Sequence, residues 1–150
     1  MERIASFNVD HNILEPGIYI SRIDGDITTY DLRVKKPNGE LMSNAEMHST
    51  EHLFATMARN SEIKDDVIYF GPMGCQTGYY LLVRNADNAR ILDVIKRTLR
   101  DIIGYTGEMP GKSAAECGNY ANLDIEIARE SCRRYYEAVK DKGVEDLKYR

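Results

Sequence analysis

Two periodicities divide the chain, an alternating one and one of three to four residues. Ile18-Tyr19-Ile20 and the run from Ile27 to Val34 are rich in β-branched and aromatic residues, and Asp24-Gly25-Asp26 between them supplies a turn, so a hairpin is predicted. Lys36-Pro37-Asn38-Gly39 closes its second strand. From Ser43 or Asn44 the period changes. A capping residue is followed by Met47, Leu53, Phe54, Met57 and Ala58 at spacings of three and four, which predicts a helix that also carries His48, Glu51 and His52. Two further strand-like runs, Val67 to Phe70 and Tyr79 to Arg84, flank the glycine-rich stretch from Gly71 to Gly78, where backbone is expected to approach a neighbour closely.

A second helix is predicted over Asn88 to Ile103, because Ile91, Leu92, Ile95, Leu99, Ile102 and Ile103 form one apolar stripe and Gly104 is placed to end it. A third, from about Leu123 to Val139, follows the irregular segment Gly107 to Gly118 and is expected to present Ile127, Ser131, Tyr135 and Ala138 on one side. Strands and helices are mixed without regular βαβ alternation. The expected fold class is therefore α+β, with a mainly antiparallel sheet packed against about three helices.

Length and charge narrow the function. The chain has 150 residues, 43% of them hydrophobic, and no repeat, low-complexity tract or linker, so one domain spanning residues 1–150 is expected. A domain of this size buries roughly two thirds of its unfolded surface, so it needs no structural metal or disulfide, and any metal is free to be catalytic. The formal net charge of -4, with both signs interleaved, offers no footprint for nucleic acid and no polybasic membrane patch. There is no signal-peptide pattern and no apolar run of membrane-spanning length. Cys75, Cys117 and Cys132 are few and far apart, as suits reduced thiols. A cytoplasmic protein acting on a small molecule is expected.

The residues able to do chemistry cluster. His48-Ser49-Thr50-Glu51-His52 puts two imidazoles four apart on one helical face, a separation that suits one metal ion, with Glu51 on the same side. This is the inverted form of the zinc-protease motif, so an inverzincin-like metallopeptidase is the alternative enzyme. A catalytic metal site wants a third protein ligand and an open position, and Cys117, beside Gly118, is the best candidate; a small buried core residue is its other reading. Cys75, in the glycine-rich turn, could serve as a proton shuttle or be an inert turn cysteine. Cys132 reads as core.

Taken together, five segments carry a resemblance: Ser6-Phe7 with Asp10-His11-Asn12; Tyr30-Asp31-Leu32-Arg33 with Pro37-Asn38; His48-Ser49-Thr50-Glu51-His52-Leu53; Gly71 through Tyr80; and Glu116-Cys117-Gly118-Asn119-Tyr120. In this order and spacing they resemble the S-ribosylhomocysteine lyase (LuxS) family, over most of the chain. The resemblance implies that His48, His52 and Cys117 are metal ligands, Glu51 and Cys75 the acid/base pair, and Ser6, His11 and Arg33 part of the substrate site. Alone, the last three read as a polar terminus, a turn residue and a solvated strand charge.

The resemblance also implies a homodimer with active sites at the subunit interface, and one divalent metal per subunit. Ferrous iron is the implied metal in the cell, while two His and one Cys also suit zinc or cobalt in purified protein. The implied reaction is redox-neutral. The carbonyl of opened S-ribosylhomocysteine migrates from C1 to C3, and β-elimination then releases homocysteine and 4,5-dihydroxy-2,3-pentanedione, the autoinducer-2 precursor. One departure is visible: Tyr69 stands where the family commonly has an acidic residue. A peptidase would call for an acidic third ligand, and a non-catalytic metal-binding domain for a closed set of four.

Overall fold

The computed structural model describes residues 1–150 and holds four strands and three α-helices, in the order β1 (Gly17–Asp24), β2 (Ile27–Arg33), α1 (Asn44–Ala58), β3 (Val67–Pro72), β4 (Gly78–Arg84), α2 (Asn88–Ile103) and α3 (Ile125–Val139). The strands form one antiparallel sheet in the order β1-β2-β4-β3. This is the expected α+β arrangement. β1 extends four residues beyond the predicted Ile18-Tyr19-Ile20. The added residues include Arg22 and Asp24, charges that the edge of a sheet can hold in solvent. Gly25, at φ +62°, opens the tight turn to β2, a conformation that costs a glycine little.

Register decides which side chains enter the core. Leu32 pairs with Tyr79, Tyr30 with Leu81 and Thr28 with Val83, so alternate residues of β2 and β4 share one face. That face is buried against α1, α2 and α3 in a cluster that includes Leu53, Phe54, Ile91, Ile95 and Leu99. Phe70 stacks between Phe54 and Tyr79, with ring centroids 4.4 and 5.0 Å away, and joins helix to sheet. The opposite face carries Tyr19, Asp31, Arg33 and Tyr80, since Asp31 pairs with Tyr19 on one side and Tyr80 on the other. No helix is long and apolar enough to cross a membrane.

Side-chain caps begin the helices: Ser43 accepts from the Glu46 amide, Asp87 from Arg90, and Asp124 from Glu126 and Ile127. The third helix therefore starts at Ile125, two residues later than expected, and its inward face differs too. Ala128, Ser131, Cys132, Tyr135 and Val139 are buried, whereas Ile127 and Ala138 are exposed. The helix is rotated to place Glu126, Glu130, Arg133 and Glu137 opposite the core, and the cost of burying those charges outweighs the gain from one isoleucine. Cys132 lies in the core as expected, where burial first and the Glu46 charge second push its thiol up to about 12.

Candidate functional site

α1 is an unusual core helix because its inner side is partly polar. Ser49 and Thr50 are buried beside Leu53 and Phe54. The Ser49 hydroxyl accepts from the Asp124 amide at 2.8 Å, and Glu46 accepts from Ser131 at 2.7 Å. These bonds fasten the start of α3, and the 117–124 segment before it, against the helix. His48 and His52, one turn apart, have ring centroids 4.6 Å apart and nearly perpendicular planes. The Cys117 Sγ lies 3.2 Å from His48 Nε2, and one ligand atom from each of His48, His52 and Cys117 lies within 4.8 Å of the others.

The outer nitrogens of both rings are already engaged. His48 Nδ1 lies 2.7 Å from Asn122 Oδ1, and His52 Nδ1 lies 2.9 Å from the Pro110 carbonyl oxygen. Both partners are acceptors, so each Nδ1 carries the proton and donates it, which leaves the Nε2 lone pairs bare. Asn122 is fixed in turn, its Nδ2 donating to Asn44 Oδ1 at 2.5 Å. The Asn119 amide donates to the Cys117 sulfur at 3.4 Å. Two imidazole nitrogens and one sulfur, all part-buried, make a donor set that fits a single divalent transition metal with a further position open.

A second cluster forms where β2 ends beside the 73–77 loop. The chain doubles back tightly there: Gln76 is left-handed at φ +64°, and the Thr77 carbonyl accepts from the amides of Val34 and Lys35 at 2.9 Å each. A Cβ on Gly78 would come within 2.5 Å of the Leu32 carbonyl oxygen. The close approach expected of the glycine-rich stretch is thus to strand β2. It carries Cys75 to the guanidinium of Arg33, with Nη1 3.8 Å from the sulfur, while Thr77 Oγ1 lies 3.1 Å from that sulfur and accepts from Arg33 Nη1 at 2.8 Å. Arg33 is not a solvated strand charge. It is 3% exposed and grips Asp31, itself fully buried, through Nε and Nη2 at 3.1 and 2.6 Å.

His11 joins Cys75 and Thr77 in lining a cleft of about 340 Å³. Its ring Nδ1 bonds the Val9 carbonyl at 2.8 Å. Ser6 sits in a short 3-10 turn, Ala5–Asn8, with no side-chain hydrogen bond and outside that cleft. Glu51, half-buried on α1 between the two histidines in sequence, is outside the three-ligand cluster. The candidate residues therefore fall into two groups within one chain. A wider hollow, about 820 Å³ between the end of α1 and α2, is lined by none of them. Tyr69 is exposed at 52%, with its ring lying over Gly71.

Sequence reasoning missed Asn122, Thr77, Asp31 and Tyr149. Asp31 was the most findable, because residues two apart on a strand share a face and a carboxylate there is a natural partner for Arg33. Asn122 and Tyr149 reach their partners across 74 and 118 positions. No local pattern signals either.

The S-Ribosylhomocysteinase (LuxS) family profile matches residues 4–146. The S-ribosylhomocysteine lyase of Finegoldia magna is 44% identical over 155 aligned positions that cover 99% of each chain. That of Desulfotalea psychrophila is 43% identical over 152, covering 97% of this chain and 96% of its own, and that of Borrelia garinii subsp. bavariensis is 39% identical over 156, covering 99% of each.

Proposed function

The chain belongs to the S-Ribosylhomocysteinase (LuxS) family and is a carbon–sulfur lyase acting on S-ribosylhomocysteine, and we propose that it works with a metal held by His48, His52 and Cys117 and with Glu51 and Cys75 as proton carriers. The observation that carries this reading is the paired Nδ1 hydrogen bonding. Both imidazoles are held in the tautomer that turns Nε2 inward, toward a thiol that completes the set. A peptidase of the inverted-motif type calls for an acidic third ligand, and here the third donor is sulfur.

A divalent ion at this site would supply Lewis acidity to the carbonyl and hydroxyl oxygens of the opened sugar. The protein has to move protons. Carrying the carbonyl from C1 to C3 means removing and returning protons on neighbouring carbons, and expelling homocysteine by β-elimination removes one more. Two carriers suit this better than one: Glu51 beside the ligands, and Cys75 in the opposing cleft. A thiolate on Cys75 would face the Nη1 edge of Arg33, the one part of that guanidinium not committed to Asp31. His11 and Ser6 are assigned to the substrate, with His11 at the Cys75 cleft.

The two groups of residues work together if copies of the chain pair, so the active form is a homodimer with shared sites. Large apolar side chains support this, with Ile4, Phe7, Ile23 and Tyr69 exposed at 52–65%. Three free thiols fit a reducing compartment, and we assign the protein to the cytoplasm with ferrous iron as its metal there. The deciding experiment is release of free thiol from S-ribosylhomocysteine by metal-loaded protein. Metal-dependent release, abolished in His52→Ala, is expected; a metal-loaded dimer that releases none would overturn the reading.

A further inference from the structure

We propose that Tyr149, near the C-terminal end of the chain, is a positioning residue for Cys75, acting through the buried Asp31–Arg33 pair. The inference rests on the reading of Cys75 as a proton carrier. Its geometry begins with the tail. After α3 the chain returns to the free edge of β1, where Leu147 is buried and its carbonyl accepts from the Ile20 amide at 2.7 Å. Tyr149 then lies on the sheet face opposite the helices, its ring stacked on Tyr19 with centroids 5.0 Å apart. Tyr19 is the β1 residue directly beside Asp31 in the register. The stack delivers the Tyr149 hydroxyl to Asp31 Oδ2 at 2.6 Å.

Asp31 Oδ2 is the oxygen that also receives Arg33 Nη2 at 2.6 Å, so the tail and the guanidinium share one carboxylate oxygen. The phenol stays a donor, because burial first and the charge of Asp31 second raise it well above the ordinary tyrosine range. Losing this donor changes two things at Cys75. Asp31 keeps only its two bonds from Arg33, so the pair loses the outside restraint that helps keep Nη1 between Thr77 and the sulfur. The carboxylate's negative charge, now less satisfied, also offsets more of the guanidinium's positive field where the thiol sits. Both changes disfavour a thiolate at Cys75. Tyr19, Tyr80 and Tyr135 also lie within electrostatic reach of this pair and are not replaced in the test, and Ser21 is the other side chain that the Tyr149 hydroxyl meets.

The test is Tyr149→Phe, which keeps the ring stacked on Tyr19 and removes only the hydroxyl. Metal-loaded protein is treated with iodoacetamide at neutral pH, and the alkylation rate of Cys75 is read by peptide mass spectrometry, alongside turnover and metal content. Roughly three- to tenfold slower alkylation is expected, as for loss of one hydrogen bond to a charged group transmitted in part. Turnover should fall in parallel, with metal content unchanged. In an Asp31→Asn background the same tyrosine change should do nothing more, since the route runs through that carboxylate. An unchanged alkylation rate in Tyr149→Phe overturns the positioning role. A Cys75→Ala protein that keeps full turnover overturns the catalytic reading instead, so the two failures can be told apart.

Discussion

Removing the Asn122 side chain should loosen the metal without unfolding the protein. In Asn122→Ala the His48 Nδ1–H loses its acceptor at 2.7 Å, while Nε2 and the Cys117 sulfur 3.2 Å beyond it stay in place. The ring then holds its tautomer and angle only through α1, and Asn44 loses its partner as well. Outer-shell changes of this kind cost about 10–100-fold in metal affinity, equivalent to about 1.4–2.7 kcal/mol. The lower half of that range is the expectation, because His52 keeps its own bond to the Pro110 carbonyl. Competition between the protein and a chromogenic chelator for cobalt or zinc measures the loss. The melting temperature of the metal-free protein, compared with the parent, reports whether the fold is intact. Asn122→Asp, which offers a charged acceptor, should restore or tighten binding. Parent-like affinity in Asn122→Ala with an intact fold would refute the argument that this bond sets the ligand.

Three further outcomes are expected. Cys117→Ala should lose both metal and turnover, whereas Cys75→Ala should keep the metal and lose about 10²–10⁴-fold in rate; metal analysis beside homocysteine release decides, and the reverse pattern would sink the assignment. Mixing Arg33→Ala with His52→Ala, each inactive alone, should regain activity if sites are shared between subunits, because one hybrid site then has both groups intact; full activity in a dilute monomer would contradict this. Protein loaded with iron should lose activity in air while cobalt- or zinc-loaded protein resists, since air oxidises ferrous iron readily, cobalt(II) far less so and zinc not at all; equal sensitivity of all forms would remove iron from the explanation.

How much could be read without coordinates depended on the reach of each interaction. α2 was legible end to end because its stripe of Ile91, Leu92, Ile95, Leu99, Ile102 and Ile103 repeats within a few turns; the first five are buried and Ile103, at the helix end, is half-buried. α3 was legible in extent but not in rotation. Its two apolar faces share Ser131 and Tyr135, and the choice between them falls to neighbouring elements and to the charges that must stay wet. The histidine pair on α1 was visible because helical geometry converts a spacing of four into adjacency. The acceptors that give those histidines their tautomer come from Asn122 and the Pro110 carbonyl, residues that carry no marker of that role in the chain.

The same contrast separates the two thiols. Cys117 is held beside imidazole nitrogens with a backbone amide pointed at its sulfur, an environment built from a loop fastened to α1 through Ser49. Cys75 stands beside a guanidinium and a threonine hydroxyl, built from the end of a strand and a turn held by the amides of Val34 and Lys35 just after β2. One set of neighbours offers a lone-pair cavity for a cation, and the other a cation already in place. A thiolate in the first environment would be neutralised by a metal it coordinates, and in the second by Arg33, which cannot give up its proton. On the proposed reading, metal coordination would lower the basicity of the first sulfur, while the second would stay basic enough to accept and return a proton, so exchanging the two roles would require rebuilding both loops.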